Sequence, residues 1–149
     1  MFGRKLSVYI SLAMCAVFAL TELAGVLLIK YVVREVTGGT LAGDGLREGY
    51  IILSYWLCVP FALAAALFTA LMLISLIKGR VFTRRNVLYI RLVSWCCFAA
   101  AALMIPAVVA APVLALVCGA ALFIGTVMLA VKSAFEYAVA LREENDLTV

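Results

Sequence analysis

From Tyr50 to Ile77 the chain carries no charged residue. That run exceeds the ~20 residues a helix needs to cross a bilayer. A second run, Leu6 to Ile29, is broken only by Glu22, and no charge interrupts Leu92 to Val131. A backbone in hydrocarbon must satisfy its own hydrogen bonds, so only helices or a closed barrel can span. The apolar runs are continuous rather than alternating, which rejects a barrel. With 68% hydrophobic and 13% charged residues, the composition lies outside the soluble range of roughly 45–50% apolar and about 25% charged. The expected fold is an all-α integral membrane four-helix bundle occupying residues 1–149 as one domain.

Four spans are predicted, over about 6–29, 50–77, 88–110 and 113–131. A cytoplasmic helical extension and acidic tail follow over about 132–149. The first run is too long for a signal peptide and lacks a small-x-small cleavage site. Met14 stands where a lipoprotein box before Cys15 would need a small residue, so a retained span is expected. Between the first two spans, Lys30 to Gly49 is rich in glycine. It lacks the Gly-Lys-Ser/Thr ending of a phosphate loop and reads as a connection. Pro60 is expected to bend the second span, and Ala62, Ala65, Ala66 and Ala70 offer a smooth face for a neighbouring helix. Pro106 and Pro112 bracket a short hairpin between the last two spans. Ala121-x-x-x-Gly125 is a small-x-x-x-small packing pair.

Between the second and third spans lies a basic island, Lys78 to Arg91. Gly79 reads as a helix terminator, Thr83 as the N-cap of the next helix and Asn86 as its capping-box position. Phe82 and Val87 have the spacing of a hydrophobic staple, so a tight, ordered turn is expected. Arg91 is placed to snorkel to the interface. The amino terminus, the island and the carboxyl end hold nine of the twelve Lys and Arg residues. The positive-inside rule therefore puts both termini and the island in the cytoplasm. The net charge of +4 reads as topology and not as direct nucleic-acid binding.

Chemistry is sparsely represented. There is no histidine, and the five cysteines all lie in apolar runs, where they behave as small hydrophobes. Neither a metal nor another cofactor is expected, and no signature of a hydrolase or metalloprotease is present; the chain reads as a non-enzyme. Glu22 is an intramembrane acid, costly on the order of 2–3 kcal/mol near a span centre. It reads either as a polar contact to a neighbouring helix, with Thr21, Ser54 and Tyr55 at similar depth, or as an ion relay.

Two segments resemble a bacterial domain-of-unknown-function family of small four-span membrane proteins. They are Gly79-x-Val81-Phe82-Thr83-x-x-Asn86-Val87-x-x-x-Arg91 and the ending Leu141-Arg142-Glu143-Glu144-Asn145-Asp146-Leu147-Thr148-Val149. The resemblance implies a bacterial inner-membrane protein, often encoded beside a small helix-turn-helix regulator, which becomes a candidate partner. Phe82, Thr83, Arg84, Arg85, Asn86, Arg91, Glu143, Glu144, Asn145 and Asp146 are then the docking candidates. Because the island is basic and the tail acidic, the tail is expected to fold back on the island or share a surface with it. The leading reading is a regulatory protein that controls or tethers that regulator. The alternative is a small transporter or channel subunit using Glu22. Besides the regulator, the lipid bilayer and further copies of the chain are the partners expected.

Overall fold

The computed structural model describes residues 2–36, 45–79 and 83–147, with side chains described over 6–35, 45–79 and 83–145. Helix α1 is Phe2–Val36, α2 is Gly45–Ile77, α3 is Arg84–Leu103, α4 is Ile105–Ala110 and α5 is Ala115–Leu147. A 3-10 turn, Pro112–Leu114, joins the last two. Four helical segments are long and apolar enough to cross a membrane: Leu6–Glu35, Gly45–Ile77, Arg84–Ala110 and Pro112–Asn145. The all-α, multi-span reading therefore stands.

The helices outrun the apolar segments that predicted them. At 1.5 Å per residue, α2 and α5 are each roughly 50 Å long, against a hydrocarbon core of about 30 Å. Their ends must project. Of the glycine-rich connection, Lys30–Val36 and Gly45–Gly49 are helical, while Gly38, Gly39 and Gly43 lie outside the described residues. Helix α2 continues through Pro60, which sits on an exposed face.

The third span reaches Ala110 as expected. It does so as two helices, α3 and α4, broken at Met104. Pro106 has no backbone N–H and occupies the first turn of α4, where that loss is tolerated. The short α4 then packs inward. Ala107 is fully buried, and with Ala111 it joins Ile29 and Val33 of α1 and Ile51 of α2 in one apolar cluster. Small side chains let the α4 backbone approach closely, as helices in lipid require.

The packing follows chain order. Helix α1 lies along α2, α2 along α3, and α3 along α5, while α1 and α5 share no comparable interface among the described residues. The array is thus open on one side, a correction to the compact bundle expected from four spans. Helix α3 is the centre. Asn86, Ile90, Val93, Ser94 and Ala101 are buried in it, whereas Leu27 on α1 and Phe123 on α5 are wide open to the surroundings. The Ser94 hydroxyl avoids an unmet donor by bonding to the Ile90 carbonyl at 3.1 Å.

Two thiols bind the flanking helices to α3. Cys58 Sγ on α2 donates to the Ala100 carbonyl at 3.3 Å, and Cys118 Sγ on α5 donates to the Ala101 carbonyl at 3.4 Å. These carbonyls lie in the last turn of α3 and also accept from the Met104 N–H, so each thiol adds a second donor to an acceptor already in use. All five cysteines are free thiols.

Candidate functional site

Gly79 ends the α2 turn with φ +75°, a conformation that only glycine adopts without strain. Its N–H bonds to the Leu76 carbonyl and that of Lys78 to Ile74, so the helix closes immediately past the apolar run. Across the turn, Thr83 is extended (φ −130°, ψ 147°) and occupies the N-cap of α3. Its carbonyl accepts from the N–H groups of Asn86 and Val87 at 3.0 and 3.4 Å. The cap position was predicted correctly, but the Thr83 hydroxyl makes no capping bond. Phe82, half of the predicted staple, lies outside the described residues.

The island and the tail meet at this end of the array. Arg84 donates through Nε to Glu143 Oε1 at 3.0 Å and through Nη2 to Oε2 at 2.8 Å. The two residues are 59 positions apart, and the pair is bidentate, the geometry in which guanidinium binds carboxylate best. Both groups lie beyond the apolar stretches of their helices. The Arg84 hydrogen bond holds the Glu143 carboxyl below the ordinary carboxylate range, and the same contact raises Arg84. The side chains are 82% and 50% exposed, so water screens the pair and it contributes little stability. Its value is placement: it fixes where the last turns of α5 sit.

Beneath the pair is a groove of about 300 Å³ between α3 and α5. Arg91 of α3 and Glu136 of α5 line it together with the apolar Val87, Leu88 and Val139. Glu136 is anchored by Lys132 at 2.9 Å, one turn earlier on α5. Glu144 and Asn145 are exposed on the closing turn of α5, and the Asp146 side chain lies outside the described residues. Arg85 lines a separate groove against α2. Asn86 departs from the docking set. It is fully buried, so it serves the α3 interior rather than an outer surface.

Glu22 occupies the second polar locus, within the apolar layer. The Tyr55 hydroxyl of α2 reaches the Glu22 carbonyl at 3.0 Å and its Oε2 at 3.5 Å. A side chain at Gly25 would collide with that hydroxyl. Gly25 is therefore the notch into which Tyr55 fits, a role that a lone glycine in an apolar run did not reveal. Gly125, flagged by spacing, has the matching role between α5 and α3: a Cβ there would lie 3.0 Å from Phe98 Cε1 and 3.2 Å from Cys97 Cβ. Among the described residues, no cluster of three or more His, Cys, Asp or Glu side chains is arranged to hold a metal.

Residues 6–149 match the family described as Protein of unknown function (DUF2975). The chain belongs to that family. The match begins where the first apolar run begins and takes in both the island and the tail, so the DUF2975 unit is the whole helical array with its polar end. No curated protein and no solved structure matched the chain.

Proposed function

We propose that this DUF2975 protein is a regulatory protein of the bacterial inner membrane, with both termini in the cytoplasm. In this reading it tethers or controls a soluble helix-turn-helix transcription factor and has no enzymatic activity of its own. One observation carries the proposal: the bidentate Arg84–Glu143 pair, which joins the first residue of α3 to the end of α5 in one polar surface. A topological marker and a solvated acidic end would each do their work without such registry.

That surface presents two acceptors and donors of opposite sign beside apolar side chains, a combination suited to a protein partner. Arg84, Arg91, Glu143 and the outer face of Glu144 and Asn145 form the docking set. The neighbouring-gene context implied by the family resemblance supplies the partner class. Transport through Glu22 ranks second, because the Tyr55 contact ties that acid to the adjoining helix.

Photo-crosslinking in intact cells from position 88, an exposed site that lines the same groove and leaves the Arg84–Glu143 pair intact, followed by purification, tests the reading. A helix-turn-helix protein should be captured by the wild-type chain. Its recovery should fall at least tenfold after removal of residues 143–149, an expected loss on the order of 1.4 kcal/mol. Capture that persists undiminished without the tail would contradict the proposal.

A further inference from the structure

We propose that the groove between the end of α2 and the start of α3 binds an anionic phospholipid, with its phosphate between Lys78 and Arg85. The groove is about 420 Å³ and is distinct from the Arg84–Glu143 face. It opens where the apolar run of α2 gives way to the Lys78–Gly79 turn, the level at which a lipid changes from acyl chain to headgroup.

The lining changes character in the same order. Leu71 and Ile74 line it about two turns and one turn of α2 before Lys78. Tyr89 forms the opposite wall, and its ring is held in place by stacking on Phe68 at a centroid distance of 6.2 Å. Toward the rim come Lys78, Thr83 and Arg85. Among the described residues, no acidic side chain lines the groove. Arg84 also borders it, but its guanidinium is committed to Glu143, which leaves the charges of Lys78 and Arg85 for a ligand. The Thr83 hydroxyl, which makes no capping bond, stands beside them. The amino-terminal end of α3 adds the positive pole of its dipole to the same rim.

A phosphate alone would use only the rim, and a soluble acidic peptide would gain nothing from a wall submerged in hydrocarbon. A phospholipid uses both parts. Basic pockets between spans are a recurrent solution for anionic headgroups. The inference stands on a different groove from the proposed partner surface, so each can fail without the other.

The test uses the full chain in phosphatidylcholine nanodiscs with trace spin-labelled phosphatidylglycerol or, in parallel, spin-labelled phosphatidylcholine. The motionally restricted fraction should be larger for phosphatidylglycerol. Combined Lys78→Gln and Arg85→Gln substitutions should erase that preference, by about fivefold for each charge removed. Both residues are exposed, so the variant is expected to keep the fold. Deleting residues 143–149 should leave the lipid preference intact or raise it, since the deletion frees Arg84 at the border of the groove, whereas it should abolish partner capture. Equal restriction of the two lipids, or a preference that survives the double substitution, would overturn the proposal. Equal restriction of the two lipids together with saturable binding of inorganic phosphate, lost in the double variant, would assign the groove to a free phosphate instead.

Discussion

Two contacts tie distant parts of this chain together, and they work in opposite ways. The Arg84–Glu143 pair has the better hydrogen-bond geometry, but it sits in water. The Glu22–Tyr55 contact is longer and less direct, yet it lies in the apolar layer and is locked by the Gly25 notch. Strength of a bond in isolation is therefore a poor guide to its effect. The exposed pair positions a surface and can be released cheaply; the inner one joins α1 to the array through shape as well as polarity. Since α1 packs chiefly along α2 among the described residues, with Ile29 and Val33 also meeting Ala107, loss of that joint would loosen a whole span.

The sharpest way to break this contrast is Gly25→Val. The new side chain has no room beside Tyr55, and overpacking of this kind costs roughly 1–3 kcal/mol. Unfolding in mixed micelles should show that loss. Combining it with Tyr55→Ala should cost less than the two changes summed, because the second removes the obstacle. Purely additive losses would mean that the notch is incidental.

Next in size is Gly125→Ala, where Phe98 and Cys97 must yield a few tenths of an ångström. A loss of about 1 kcal/mol is expected, the low end of the overpacking range. Gly119→Ala is its control: a Cβ at Gly119 meets open space, so stability should hold or rise slightly. Tyr55→Phe keeps the ring and deletes only the hydroxyl bond. Polar contacts between spans average about 0.6 kcal/mol, and the same micelle assay should show a loss of that order.

The smallest effect belongs to the exposed pair. Glu143→Gln should leave global unfolding unchanged while a spin label at position 145 becomes more mobile. Acid should do the same. A carboxyl held low by its partner contributes fully above its ordinary range and loses that contribution as pH falls through the lowered value. Label mobility should therefore rise on acidification and stay flat from neutral to mildly alkaline pH. Mobility that rises with alkali instead would assign the end of α5 to a different contact.

The contrast also explains what could be read in advance. Spans are legible because an apolar run is a local property, and so are Gly79 as a terminator and Thr83 as a cap position. The meeting of island and tail was accessible through opposite charge, which acts across sequence distance. Gly25 was not, because its meaning depends on Tyr55, 30 residues later and on another helix. Pro106 marked a boundary, but that α4 would turn inward on Ala107 depends on space left by Ile29, Val33 and Ile51. The open side of the array was hidden for a related reason: hydropathy says how many spans there are, not which ones touch. Within the docking set, Asn86 shows the same gap, since burial is decided by the neighbours of α3 rather than by its own polarity.

All of this rests on the turn before α3 and the end of α5 sharing one side of the membrane. The direct measurement is the reactivity of Arg84→Cys and Glu143→Cys variants toward a membrane-impermeant maleimide, before and after the cells are opened. The account predicts that both positions are protected in intact cells and that both react once the inner face is exposed. Labelling of one position from outside with the other still protected would contradict it.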